Sequence, residues 1–190
     1  MEEYISHAKK TLVEIGEVEN VLPLKEKEWM EFQIGSLFDV KIGKSIDANK
    51  VNLSIGKVAY VTRKEINNGL DGFLDYDLNY LNTQFPAITI GNETAEPFVQ
   101  SFPFFTGTKV NILSPKKSVS IYALLFITQS IRMNKTKYSY VFTINSTRLR
   151  KQNILLPVDE SENPDWQYME QYAKSITRQK ITEYLKYKGF

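Results

Sequence analysis

Ser118-Val-Ser-Ile-Tyr-Ala-Leu-Leu-Phe-Ile-Thr-Gln-Ser-Ile-Arg-Met133 departs from everything around it. Ile121, Leu124, Leu125, Thr128 and Ile131 recur at helical spacing, and either Ser118 or Ser120 can accept from the amides of a first turn. On both sides the texture is different. Lys57–Thr62, Ala87–Ile90, Val110–Leu113, Tyr138–Phe142 and Ile154–Leu156 are short runs of β-branched and aromatic residues bounded by Gly, Pro or Asn, which predicts strands. One helix packed among strands makes the class α+β, a globular domain of mainly β structure.

Working outward, the two ends read as helices. Met1, Ile5, Ala8, Leu12 and Ile15 alternate steps of four and three, an a/d seam suited either to a coiled coil or to packing on the same domain, with Pro23 as its expected stop. At the other end Asn163 is a candidate cap and Pro164 a first helical residue. Asp165 suits the positive end of the dipole, and the helix is expected to run to about Tyr187. The expected division is therefore 1–22 as an N-terminal helix, 23–160 as the globular domain and 161–190 as a C-terminal helix. Met1-Glu2-Glu3-Tyr4 also echoes Met169-Glu170-Gln171-Tyr172, as if the chain began and ended at equivalent points of a repeating unit.

Composition narrows the function classes. The 190 residues, 42% hydrophobic and 24% charged, are enough for one domain with a real core. Cysteine is absent, which removes disulfides and thiolate metal sites and fits the interior of a cell. No run of about 18 apolar residues and no basic-then-apolar leader appears, so a cytoplasmic protein without a membrane partner is expected. The net charge of +2 says little, but its distribution says more. Residues 65–108 carry six acidic side chains and no Lys or Arg, whereas residues 97–158 carry nine Lys and Arg and no acid. Gathered on one face, the basic run would follow phosphates; alternatively, the two stretches pair with each other across the fold.

Catalytic chemistry finds little support. His7 is the only histidine, so neither a histidine triad nor a multi-histidine metal site can be assembled. The Gly-rich phosphate loops of nucleotide-binding folds are missing. Asp39-Val40-Lys41 has the acid-x-Lys spacing of Mg²⁺-dependent nucleases but no evident second acid, which leaves a small nuclease as a weak alternative. Binding groups are better represented. Arg132, Lys135, Lys137, Tyr138 and Tyr140 form one interleaved basic and aromatic segment, and Thr62, Arg63, Lys64, Asn67 and Asn68 form another. Lys and Arg neutralise phosphates, while Asn and Arg can bond base edges bidentately.

Read in order, several segments resemble the target-recognition domain of type I restriction-modification specificity subunits. Trp29-Met-Glu-Phe32-Gln-Ile34-Gly-Ser-Leu37-Phe38 followed by Gly43 resembles the family's opening motif. Gly56-Lys-Val-Ala-Tyr60-Val61-Thr62-Arg63 is similar to a strand entering a DNA-facing loop, and Ala87–Asn92 to the middle strand and turn. Arg148-Leu149, Ile154–Pro157 and Asn163–Tyr172 resemble the exit into a spacer helix. The resemblance implies a domain that enters the major groove of double-stranded DNA, and helices that separate two such domains and dock methyltransferase subunits. Methyl transfer from S-adenosylmethionine and Mg²⁺- and ATP-dependent cleavage would then belong to partner methyltransferase and restriction subunits, leaving this chain without a cofactor. Full family members usually carry two recognition domains. This chain carries one, so two copies are expected to pair as a homodimer through residues 1–22 and 164–187. Lys and Arg within 132–151, Arg148 among them, and at 63–64 would hold phosphates. Asn67, Asn68, Tyr138 or Tyr140 would read bases, with Tyr60 and Thr62 beside them. The alternatives are a protein-interaction or generic nucleic-acid-binding module.

Overall fold

The computed structural model describes residues 2–18, 20–53, 56–137 and 143–190. The chain is α+β, as the sequence predicts, and its first strand is closed by its last. β1 (Trp29–Gln33) pairs antiparallel with β9 (Asn153–Pro157), Trp29 opposite Pro157 and Gln33 opposite Asn153, which brings the two ends of the globular domain together. The single turn α2 (Ile34–Leu37) follows β1 and donates Ile34 N to Gln152 O at 2.9 Å. Gly35 is required in that turn, because a Cβ there would lie 2.8 Å from Arg150 O.

Two further sheets fill the body. β2 (Phe38–Ile42), β8 (Val110–Pro115), β5 (Ala87–Gly91) and β6 (Pro97–Gln100) form a four-stranded antiparallel sheet in that order. β4 (Leu70–Leu74), β3 (Val58–Val61) and β7 (Phe104–Thr106) form the other, β3 running antiparallel to β4 and parallel to β7. Every residue of β5 is buried, as expected of a central strand covered on both faces. The expected strand at Tyr138–Phe142 lies outside the described residues.

The helix α3 (Ile121–Arg132), capped by Ser120 accepting from Ala123 N at 3.2 Å, covers the four-stranded sheet. Leu124, Ile127 and Ile131 are buried in one cluster with Phe38, Ile88, Ile90 and Leu113 of the sheet and Ile154 and Leu156 of β9. Its other side meets α5 (Trp166–Tyr187). The joint is aromatic: Phe126 stacks on Trp29 with centroids 6.1 Å apart and meets Tyr172 edge-on at 5.6 Å, while Tyr168 lies 6.4 Å from Phe126. Between α3 and β9 the chain makes one more short helix, α4 (Ser146–Lys151), capped by Asn145.

The terminal helices differ from expectation in their bounds. α5 is capped by Asp165, which accepts from Tyr168 N at 2.9 Å, and not by Asn163. The cause is backbone pairing: Pro164 still bridges to Val158 and Asp165 N donates to Pro157 O, so helical geometry cannot begin earlier. α1 (Glu2–Ile15) ends seven residues before position 22, because Gly16 adopts φ +71° and turns the chain away. Its seam is already matched within the chain. α1 buries Ile5 and Ile15, packs on α5, and is tied to it by Arg178 Nη1 donating to Gly16 O at 2.7 Å. No helix among the described residues is long and apolar enough to cross a membrane.

Replacing Phe126 by Ala removes the ring on which Trp29, Tyr168 and Tyr172 converge. The expected cost is about 3–5 kcal/mol of stability, read as a lower urea midpoint at unchanged denaturant slope; an unaltered midpoint would mean that the α3–α5 joint does not carry the fold.

Candidate nucleic-acid interface

Most of the sequence-predicted binding residues come from two segments about 70 positions apart, and the fold makes them neighbours. Lys135, in the turn after α3, bonds Glu65 at 2.9 Å in the loop after β3, and Glu96 at 2.8 Å before β6. Asn68 bonds Val99 O at 3.1 Å and Gln100 Oε1 at 3.3 Å, stapling the same loop to the edge strand β6. Asn67 and Asn68 both take positive φ, +53° and +56°, a conformation that Asn tolerates better than most residues.

This proximity is built from charge pairs. Glu96, only 11% exposed, accepts from Arg132 Nε and from Lys135; Glu93 pairs with Arg63 and with Lys109, the latter at 3.3 Å; Lys64 pairs with Asp71. Acids of the 65–108 stretch thus neutralise Lys109, Arg132 and Lys135 of the basic run, which is the cross-fold pairing that the charge pattern left open. Burial alone would raise the Glu96 carboxyl, but hydrogen bonds from Lys135 and Arg132, with their charges, hold it below the usual carboxylate range. The bonds that Lys135 donates to Glu65 and Glu96 push its ammonium up.

The placements separate the predicted residues into groups. Tyr60 is 1% exposed, its hydroxyl donates to Ile46 O at 2.8 Å, and burial pushes that hydroxyl's pKa up; it belongs to the core with Leu74, Leu81 and Phe105. Arg132 is committed through all three nitrogens, to Glu96, to Gln129 Oε1 at 2.6 Å and to Pro97 O at 3.3 Å. Lys135 and the amide nitrogen of Asn68 are likewise held inside the fold. Asn67 and Lys64 are exposed, and Thr62 and Arg63 half-buried, around the loop after β3. Lys137 and Arg148 line a different recess. Tyr138 and Tyr140 lie outside the described residues.

Two clefts with opposite lining charge result. The first, of ≈ 480 Å³, lies at the end of β3 and is bordered by Arg63, Lys64, Asp47, Asp71 and Glu93, so carboxylates outnumber cations. The second, of ≈ 740 Å³, lies between the end of α3, α4 and the β1–β9 ribbon, and is bordered by Lys137, Arg148, Lys151 and the amides Asn134 and Asn153. Its one carboxylate, Glu31, accepts from Asn153 Nδ2 at 2.8 Å. Three cations against one acid make this a concavity that favours an anion. Asn134 and Asn153 were not singled out in the sequence. Asn153 reaches the cleft only because β9 pairs with β1, which no local pattern announces.

Asp39 lies on β2 opposite Ser114, and Lys41 beside it bonds Gln84 Oε1 at 2.9 Å. Among the described residues no three or more acidic or histidine side chains gather where they could hold a metal ion.

Comparison with known proteins gives a consistent picture. Residues 26–186 match the model of the family described as Type I restriction modification DNA specificity domain. A curated relative, the specificity subunit of the type II restriction enzyme BgcI from Heyndrickxia coagulans, is 47% identical over 150 residues, covering 78% of this chain and 44% of the relative. Among solved structures, the S subunit of a type I restriction-modification system from M. genitalium superposes with a TM-score of 0.61 at 18% identity, over 97% of this chain and 45% of that one. The HsdS subunit from Thermoanaerobacter tengcongensis gives 0.55 at 15% identity, over 95% and 46%. The chain spans about half the length of these relatives, and the structural likenesses show a shared fold.

Glu96→Gln should lower stability by about 1.5–3 kcal/mol near neutral pH, the worth of hydrogen bonds to a charged group. Because the folded carboxyl titrates below its ordinary 4.5, its contribution is complete above that value and is lost as pH falls through the lower folded value. The gap between the two proteins in urea melts should therefore narrow in acid; a gap constant from pH 7 to pH 3 would deny Glu96 its charge-dependent role.

Proposed function

This chain belongs to the type I restriction modification DNA specificity domain family, and we propose from that premise that it is a recognition half, binding double-stranded DNA at a defined sequence. The observation that carries the proposal is the cleft of Lys137, Arg148 and Lys151, an open recess with three cations, two amides and a single carboxylate that is bonded to one of the amides. Phosphates seated there set register on the duplex. The loop after β3, pinned beside it through Glu65 and Asn68, then presents Asn67 and Arg63 to the groove. Phosphate contacts supply affinity and base contacts supply discrimination, so the arrangement divides the two tasks between two neighbouring surfaces.

In this reading the chain is a non-catalytic component of a cytoplasmic complex. It directs a methyltransferase subunit, and through it a restriction subunit, to the target; S-adenosylmethionine, ATP and Mg²⁺ act on those partners. Residues 23–160 form the recognition domain and the terminal helices the spacer. The pair α1–α5 leaves Tyr4, Val13 and Tyr187 exposed, at 72%, 81% and 82%, and this supports assembly along the helices, with a second copy as one arrangement. Two-fold pairing would be mirrored in an interrupted palindromic site.

The test is selection from a random duplex library with the purified chain, alone and with a methyltransferase subunit, at near-physiological salt. An enriched motif is expected, and its symmetry reports the number of copies bound. Lys137→Ala and Lys151→Ala should each weaken all sequences alike and flatten the dependence of log affinity on log salt by about 0.9, whereas Asn67→Ala should relax one position of the motif. Binding that shows no sequence preference in either condition would refute the recognition role.

A further inference from the structure

Arg63 stands where β3 leaves its sheet, and three features fix it there. Gly91 lets the turn after β5 press against it: a Cβ at position 91 would lie 2.9 Å from both Arg63 Cα and Arg63 Cβ. Glu93, two residues further on, receives the Arg63 guanidinium on Oε2 and Lys109 Nζ on Oε1 at 3.3 Å. Thr62 N donates to Gly69 O at 2.8 Å and closes the loop that follows. The pair with Glu93 uses Nη1, and the Arg63 side chain remains 35% exposed at the rim of the smaller cleft.

The surroundings discriminate between two kinds of contact. A phosphate entering this cleft meets Asp47, Asp71 and Glu93 and must draw Arg63 away from a partner it already has. A base edge carries no net charge, so neither penalty applies. What guanine O6 and N7 require is a planar fork with donors to spare in a fixed orientation, and a carboxylate behind the guanidinium supplies that orientation.

We infer, resting on the DNA-reading proposed above, that Arg63 is a specificity-determining residue that reads a guanine edge in the major groove, and that Glu93 is the positioning residue that holds it for a base and withholds it from phosphates. This changes the role given to Arg63 by sequence, where it stood among the phosphate holders. Lys109 is withheld by the same carboxylate, and Lys64 by Asp71.

Selection from a random duplex library, followed by binding titrations across salt, tests the assignment with the wild-type chain, R63A, R63Q and E93Q, each with its methyltransferase subunit. With R63A, discrimination at one G·C pair falls by about ten- to a hundredfold, the other positions hold, and the salt dependence on random duplex stays as in wild type. R63Q, which offers a different donor and acceptor pattern, changes the preferred base at that same pair. E93Q frees Arg63 and Lys109, so random duplex binds more tightly with a salt slope steeper by about one to two phosphates, roughly 0.9 to 1.8. A Glu93 that only supports the fold would leave that slope unchanged, and this result overturns its positioning role. If R63A weakens every sequence alike and flattens the slope, Arg63 is a phosphate holder and the inference is overturned. If the wild-type chain itself enriches no motif, the DNA-reading beneath the inference has failed, and the two failures are told apart by the wild-type lane alone.

Discussion

The antiparallel ribbon of Trp29–Gln33 with Asn153–Pro157 is the constraint on which the other features rest. It joins residues 120 to 128 positions apart, so its loop-closure entropy must be offset by burial, and Ile154 and Leu156 supply this by entering the main core. Three consequences follow from one pairing. The ribbon forms a wall of the basic cleft and places Glu31 and Asn153 in contact there. It seats Trp29 on Phe126, so α3 is fixed relative to α5. Through Asp165 N bonded to Pro157 O, it also sets where α5 begins.

The departure of α5 is reinforced at the same end of the ribbon. Lys27 bonds Asp165 at 2.7 Å and lies 4.9 Å over the Tyr168 ring, and both partners of that ion pair are less than one-fifth exposed. Such a shielded pair is screened less by salt than a surface one. A helix anchored this way, with its cap carboxylate shared between the first-turn amide and a lysine, leaves the domain in one direction. For a helix proposed as a spacer, a fixed exit direction sets where the next element can stand.

Much of this was legible in the sequence, and the limits follow from what local pattern can encode. The helix at 121–132 announced itself by spacing and cap, and the apolar strands β3, β5, β8 and β9 by their β-branched runs. The strands β6 and β7 did not, since Pro97–Gln100 opens on a proline and carries one β-branched residue, and Phe104–Thr106 is only three residues long. The cap of α5 was misplaced by two residues because Asn163 and Pro164 have the right chemistry, while Pro164 is held by a bridge to Val158 that only tertiary structure reveals. The charge runs were visible, but whether they would separate or combine depended on Glu65, Glu93 and Glu96 arriving beside cations from other segments. Tyr60 was expected beside the base-reading residues from its place in a motif. β3 is paired on both edges and buried on both faces at its end, Tyr60 in one core cluster and Val61 in another.

Two groups of cations within the basic run therefore answer different physical demands. Lys109, Arg132 and Lys135 meet carboxylates and hold segments together, so their charge is largely cancelled before any ligand arrives. Lys137, Arg148 and Lys151 border a cleft whose lining holds a single carboxylate, Glu31, already bonded to Asn153, so the lining as a whole is positive. A surface on which every cation was free would bind any duplex tightly and distinguish poorly, because phosphate attraction is the same for every sequence. Neutralising the cations nearest the candidate reading loop lowers the attraction that is common to every sequence. Glu93 and Glu96 accomplish this from opposite ends of one short stretch, Glu93-Thr-Ala-Glu96, whose chain reversal is set by Ala95 at φ +53° and by Ala95 N donating to Gly91 O at 2.9 Å. The geometry of that turn decides which cations of the basic run meet a carboxylate.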